Sequence, residues 1–212
     1  MKPSSKHAKF AHLSLDFSSQ YRFYLEYHSN PGNQLVHVLF VPLLLGSALA
    51  ALSLWSFQVS FFGKKLLVDA GMILASVYAL YYMLLSPLLG FAAALLWVLP
   101  LYVVAKAVTL YASSGRVLWY AVAAVQAAGW SAQFAAHHWL EKRRPALLDN
   151  MVQAFASAPF FVFLEVLAAL GLDGGVRKRL QRPKSPRRTK TERGASAARA
   201  KTYAEGTPSA HG

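Results

Sequence analysis

Apolar residues in this chain fall into four long runs separated by short polar breaks. The runs are about Leu35–Leu54, Leu66–Leu85, Leu88–Val108 and Val117–Phe134. Each approaches the roughly 20 residues that an α-helix needs to cross the hydrocarbon core of a bilayer. The pattern predicts an all-α fold, a polytopic membrane helical bundle with about four transmembrane helices plus interfacial helices.

Two other segments carry a weaker apolar pattern. Between Asp16 and His28, aromatic and apolar residues recur at helical spacing, which predicts a short amphipathic helix, either lying in the membrane interface or packed on the bundle. The segment 146–171 is apolar but contains Asp149, Pro159 and Glu165. It is either a fifth span or a re-entrant or interfacial helix, and we favour the last two because a carboxylate within a span needs a partner.

Charge is concentrated outside the apolar runs. The net charge is +13, and after residue 172 eleven Lys and Arg accompany only three acidic residues. We therefore divide the chain into a flexible N-terminus (1–15), a membrane-embedded helical domain (16–172) and a basic disordered tail (173–212). Such a tail can bind nucleic acid or anionic lipid. Its single aromatic residue, Tyr203, offers no platform for bases, so we expect membrane lipid and no nucleic acid as its partner.

The first polar motif is His28-Ser29-Asn30-Pro31-Gly32-Asn33, followed by His37. On one continuous helix, nine residues would place the two histidines about 180° apart. Pro31 disfavours helix at Asn30, and Asn30 or Asn33 can cap the helix that follows. A bend at this point can therefore bring both imidazoles to one site.

The second polar motif ends the fourth apolar run. Gln133, His137 and Glu141 are spaced i, i+4, i+8, so they lie on one helix face, with His138 about 100° round the helix. Buried polar groups need partners, and a metal ion is one such partner. The alternative is an interfacial helix end whose histidines bond to backbone or headgroups. The chain has no cysteine, which leaves histidine and carboxylate as the metal-ligand chemistry.

Topology brings the two motifs together. With four spans, the start of the first and the end of the fourth lie at the same membrane surface. The basic run Lys142-Arg143-Arg144 and the tail lie there too, so the positive-inside rule makes that surface cytosolic. Other enzyme classes are excluded: the seven histidines are too few for a di-iron lipid desaturase, no H-E-x-x-H motif is present, and no nucleophile elbow supports a serine hydrolase.

The segments YHSNPGNQLVHVLFVP and QFAAHHWLEKRRPALLDNMVQ resemble the endoplasmic-reticulum 2-hydroxy-fatty-acid dioxygenases, iron-dependent membrane proteins of fatty-acid α-oxidation. The resemblance covers about four-fifths of the chain and omits the basic tail. One departure is Ala136, where the family usually has glycine before His137. The second histidine, His138, is not required by the family pattern.

The resemblance implies a catalytic membrane domain that binds Fe(II), O2 and a 2-hydroxy fatty acid, and releases CO2 and an acid one carbon shorter. It implies His28, His37 and His137 as iron ligands, with His138 the least certain fourth. Glu141 is either a ligand or a neighbouring acceptor that fixes a histidine tautomer.

Arg143 or Arg144 either pairs with the substrate carboxylate or only sets topology. We expect a multi-pass protein of the endoplasmic reticulum membrane, with both termini and the metal site on the cytosolic side. The alternative function is a non-catalytic lipid-binding or scaffold protein of that membrane. The sequence does not indicate an oligomeric state.

Overall fold

The computed structural model describes residues 15–145 and 151–181, except for the side chains of 152, 153 and 179–181. This part of the chain is mostly helical. Its elements, in order, are α1 (Phe17–Tyr27), α2 (Pro31–Leu52), β1 (Ser56–Phe61), β2 (Lys64–Asp69), α3 (Ala70–Leu85), α4 (Pro87–Ala93), α5 (Leu99–Tyr111), α6 (Gly115–Ala136), α7 (Met151–Ala169) and α8 (Val176–Gln181). Two π-helical turns, Ala94–Val98 and His137–Glu141, continue α4 and α6.

Polar residues at the breaks begin the helices. Asp16, Asn30, Asp69 and Ser114 each precede a helix and accept a hydrogen bond from a backbone N–H in its first turn. These side chains satisfy donors that have no partner within the helix itself. Asn30 is therefore the cap of α2, with Pro31 as its first residue, and the predicted break between α1 and α2 is confirmed.

Helix α2 lies at the centre of the fold and contacts α3, α5, α6 and α7. Aromatic rings fill the space beside it. Tyr82 of α3 stacks on Phe160 of α7 with ring centroids 4.9 Å apart, and Tyr21 of α1 lies 5.3 Å from Phe161. Five consecutive residues of α7, from Phe160 to Leu164, are at most 3% exposed. The segment 146–171, which we expected to be re-entrant or interfacial, thus contains a helix whose middle is packed inside the bundle.

The prediction of a mostly helical fold is confirmed, and the prediction of a four-span membrane bundle is not. Within the described ranges, two helices are long and apolar enough to cross a bilayer: α2, and the continuous helix Pro87–Tyr111 formed by α4, the first π turn and α5. Helix α3 has 16 residues, fewer than a full crossing usually needs. Two apolar helices are consistent with a membrane protein, and the number of four spans stays a prediction.

The sequence did not predict the β-hairpin at residues 56–69. We had assigned Leu66–Asp69 to the second span, but these residues form β2, antiparallel to β1. Phe62 and Gly63 at the turn both have positive φ, 47° and 73°, as a two-residue turn between right-twisted strands requires. The signal was the alternation Ser56-Phe57-Gln58-Val59-Ser60-Phe61, which has a period of two.

A partly buried ion pair lies at the end of this hairpin. The Asp69 carboxylate accepts hydrogen bonds from Ser53 Oγ, Tyr102 OH and Lys106 Nζ, at 3.1, 2.9 and 2.8 Å. These bonds join the end of α2, the start of α3 and the middle of α5. Ser53 is 16 residues after His37, about 24 Å along α2, so the ion pair and the histidines lie at opposite ends of the bundle.

Gly90 allows α4 to pack tightly against α3. A Cβ atom at this position would lie 2.0 Å from the backbone oxygen of Tyr82, which cannot move aside as a flexible side chain can. We therefore expect Gly90→Ala to lower the stability of the protein by about 1–3 kcal/mol, the usual cost of overpacking. The measurement is the thermal unfolding midpoint in detergent.

Gly46→Ala is the matched control for this prediction. The nearest atom to a Cβ at Gly46 is Leu101 Cδ2 at 3.9 Å, an ordinary contact. This substitution should be neutral or stabilising by up to about 1 kcal/mol, because alanine favours a helix interior more than glycine does. Equal midpoints for the two variants would refute the close packing at Gly90.

Candidate metal centre

Three histidine rings meet at the end of the bundle where α2 begins. The ring centroids of His28 and His37 are 4.5 Å apart, and each lies 5.0 Å from the ring of His137. One nitrogen from each ring lies within 4.8 Å of the others, and all three side chains are buried. The geometric prediction that the bend brings His28 and His37 together is confirmed.

Local backbone structure positions each ring. His28 ends α1 and its Nδ1 donates to Tyr24 O at 2.9 Å, one turn earlier. His37 lies in the second turn of α2 and its Nδ1 donates to Asn33 O, also at 2.9 Å. These bonds assign the proton to Nδ1 and leave Nε2 of both rings with a free lone pair. A hydrogen bond at the ring nitrogen that does not bind the metal commonly orients a histidine ligand.

The donor set fits a divalent transition metal. Burial, followed by the nearby His37, lowers the pKa of the His28 imidazole well below its usual value, so this ring is neutral, as coordination requires. His137 Nδ1 is buried and has no hydrogen-bond partner in the described ranges, which a metal ion would explain. Three imidazoles suit iron, zinc, copper and nickel, and they leave coordination positions for other ligands.

The Glu141 carboxylate joins the segments that carry the histidines. It accepts hydrogen bonds from the Asn30 N–H at 2.7 Å, Ser29 Oγ at 2.8 Å and Asn33 Nδ2 at 3.2 Å. Burial raises the pKa of this carboxyl, but the bonds from Asn30, Ser29 and Asn33 outweigh it and lower the pKa below its usual value. Among the residues described, Glu141 is therefore an acceptor for the α1–α2 junction and makes no hydrogen bond to a histidine.

The π turn explains this placement of Glu141. The Lys142 N–H bonds to His137 O, an i→i+5 bond, so the turn is wider than an α-helical one. Four residues after His137, Glu141 falls short of a full turn and lies beside the α1–α2 junction. The i, i+4 stacking expected from the sequence holds from Gln133 to His137 and ends there.

The remaining predicted residues lie outside the three-histidine cluster. His138 is exposed, and its ring is 6.0 Å from that of Trp139. Arg143 donates to Glu26 O, and its guanidinium lies 4.9 Å from the centre of the Tyr27 ring. His138, Arg143 and Arg144 all border a shallow basic depression, whose lining is completed by Phe134, Lys142 and Pro145.

An apolar cavity of about 270 Å³ continues from the histidines into the bundle. Its lining along α2 runs from His37 to Ala48, eleven residues and about 16 Å. Leu74 and Tyr78 of α3 and Phe155 of α7 form other parts of the wall, together with residues of α1 and α6. The sequence did not identify these wall residues, because only the tertiary packing of α3 and α7 places them beside α2.

Comparison with known proteins shows the family of this chain. A family model described as 2-hydroxy-palmitic acid dioxygenase Mpo1-like matches residues 14–170. The 2-hydroxy-palmitic acid dioxygenase MPO1 of Saccharomyces cerevisiae is 35% identical over 158 residues, which cover 74% of this chain and 83% of the yeast protein. No solved structure matches. The chain belongs to the 2-hydroxy-palmitic acid dioxygenase Mpo1-like family.

Proposed function

We propose that this protein is an Fe(II)-dependent dioxygenase of 2-hydroxy fatty acids. The observation that carries the proposal is the three-histidine cluster at the head of an apolar cavity. The reaction breaks the C1–C2 bond of the 2-hydroxy acid. With one O2 as the oxidant, which accepts four electrons, it yields CO2, water and the fatty acid one carbon shorter. The yeast relative is named for 2-hydroxypalmitic acid, a substrate of this class.

Some side chains of the site would bind the metal, and others would shield the reacting carbon from water. His28, His37 and His137 would hold the iron, which when bound supplies the chemistry with O2. The hydrogen bonds at Nδ1 of His28 and His37 keep the Nε2 lone pairs directed away from the backbone carbonyls. The apolar walls exclude water from the reacting carbon and give the alkyl chain a place to lie.

The basic depression gives the carboxylate a route to the metal. It shares Phe134 and Pro145 with the inner cavity, so the two spaces adjoin. Arg143 or Arg144 would pair with the carboxylate as the substrate approaches, and His138 borders the same depression. Setting the membrane topology remains the other role of this basic run.

We place the protein in the endoplasmic reticulum membrane, with several spans and with both termini and the metal centre on the cytosolic side. Two apolar helices and the basic residues 142–144 beside the histidines support this orientation. A fatty acid in the cytosolic leaflet would then reach the cavity without leaving the membrane.

Metal removal tests the proposal directly. Purified protein with Fe(II) and O2 should convert 2-hydroxypalmitate to pentadecanoate and CO2, while palmitate stays unchanged. Chelation should abolish the conversion, and added Fe(II), but not Zn(II), should restore it because zinc has no redox chemistry. The readouts are bound iron and product analysis by mass spectrometry. Binding of the acid without any product from the iron-loaded protein would favour the lipid-binding alternative.

A further inference from the structure

Two glutamines of α6 line the same cavity but differ in their hydrogen bonds. Gln126 Nε2 donates to Leu44 O at 2.9 Å and to Ser47 Oγ at 3.0 Å, and its Oε1 accepts from Trp130 Nε1 at 3.0 Å. Gln133 is 8% exposed, and its Nε2 has no hydrogen-bond partner among the described residues. Within the described part of the chain, the Gln126 amide is thus fully hydrogen-bonded, while Gln133 Nε2 at the same wall has no partner.

An unpaired buried amide is costly unless another group accepts a hydrogen bond from it. The position of Gln133 limits what that acceptor is. It lies one helical turn before His137 on the same face of α6, so its side chain is next to the metal centre on the inner side. Gln126 lies two turns deeper, where the cavity wall is otherwise apolar.

The order of groups along the cavity matches the order of atoms in a 2-hydroxy fatty acid. The basic depression lies outermost, then the three histidines, then Gln133, and then the apolar walls that reach Ala48. In the substrate the carboxylate comes first, C2 with its hydroxyl second, and the alkyl chain last. Because C1 and C2 are bonded to each other, the carboxylate and the hydroxyl would both lie at the histidines, with the hydroxyl on the inner side, towards the Gln133 amide.

We propose that Gln133 is the residue that selects 2-hydroxylated fatty acids, by donating from Nε2 to the 2-hydroxyl oxygen. The inference rests on the proposed function for the nature of the substrate. An unsubstituted fatty acid offers no acceptor at C2. Gln133 Nε2 therefore stays unpaired and does not increase the affinity for that acid. Sites that pair a substrate hydroxyl discriminate strongly against analogues that lack it.

The test is Gln133→Met, which keeps the length of the side chain and removes the donor, compared with Gln126→Met. Binding of 2-hydroxypalmitate, palmitate and 1,2-hexadecanediol is measured without O2 by displacement of cis-parinaric acid from iron-loaded protein in detergent. For Gln133→Met we expect about tenfold weaker binding of the two hydroxylated compounds and unchanged binding of palmitate. Its iron content should be unchanged and its unfolding midpoint unchanged or higher, because an unpaired amide is lost.

Gln126→Met should behave in the opposite way. Its midpoint should fall because three hydrogen bonds are lost, while the preference for hydroxylated compounds over palmitate is retained. If Gln133→Met weakened the binding of palmitate but not that of 1,2-hexadecanediol, the amide would bind the carboxylate. The assignment to the hydroxyl would then be overturned. Unchanged binding of all three compounds, or a loss of iron together with a lower midpoint, would overturn it as well.

Turnover of the unaltered protein separates this inference from the proposed function. If that protein binds 2-hydroxypalmitate but forms no pentadecanoate with Fe(II) and O2, the dioxygenase proposal fails. The binding comparison of the two glutamine variants still decides whether Gln133 recognises the hydroxyl.

Discussion

Replacing His37 with alanine should remove the bound iron and reduce turnover of 2-hydroxypalmitate to background. The same result is expected for His28→Ala and His137→Ala, because each ring supplies one of three nitrogens within 4.8 Å of one another. The two remaining imidazoles would bind the ion far more weakly and in the wrong geometry. The measurements are iron content after size-exclusion chromatography and product formation by mass spectrometry.

His138→Ala is the informative comparison for these three variants. His138 is adjacent in sequence to His137 but exposed, and it lies outside the three-histidine cluster. We expect this variant to keep its iron. Loss of iron from His138→Ala, or near-normal activity in two of the other three variants, would show that the ligand set is wrong. Circular dichroism and elution volume establish that each variant is folded.

Replacing Glu141 with alanine should weaken iron binding by roughly 10–100-fold, the usual effect of losing a group that orients metal ligands. Glu141 accepts three hydrogen bonds from Ser29, Asn30 and Asn33, and Asn33 O in turn accepts from His37 Nδ1. Without the carboxylate, the α1–α2 junction loses its attachment to the turn that carries His137. The measurement is the dissociation constant for Fe(II), by anaerobic titration.

Glu141→Gln and Glu26→Ala give this prediction its controls. Glutamine retains one acceptor oxygen, so its affinity for iron should lie between those of the original protein and the alanine variant. Glu26 is an exposed carboxylate of α1, and its removal changes the net charge equally without touching the junction. Wild-type iron affinity in Glu141→Ala would contradict the role that we assign to this carboxylate.

The sequence was sufficient to predict the helical character, the break before α2 and the meeting of His28 with His37. Those features depend on local chemistry: the run of apolar residues, the conformational restriction at Asn30-Pro31, and the capping side chain of Asn30. The meeting with His137 depended on the direction of the helices in the bundle. The expectation followed from an even number of spans, which places the start of the first span and the end of the fourth at the same membrane surface.

Other features required tertiary structure. The hairpin was missed because Leu66, Leu67 and Val68 are apolar and adjoin an apolar helix. Hydropathy alone therefore assigned the strand and the helix to one membrane span. The surroundings of Glu141 were missed because the spacing rule assumed an α-helix where the backbone forms a π turn. Part of the cavity wall comes from α3 and α7, whose approach to α2 leaves no local pattern in the sequence.

The ion pair of Asp69 with Lys106 has a consequence for the protein without metal. It secures the end of α2 that lies about 24 Å from His37, and its bonds to Ser53 and Tyr102 involve no residue of the cluster. A metal ion held by the three histidines would therefore be able to leave while the ion pair and its hydrogen bonds at the other end of α2 stay in place. We expect loss of the ion to loosen only the region around the three histidines. The ion should then rebind there without global unfolding of the protein.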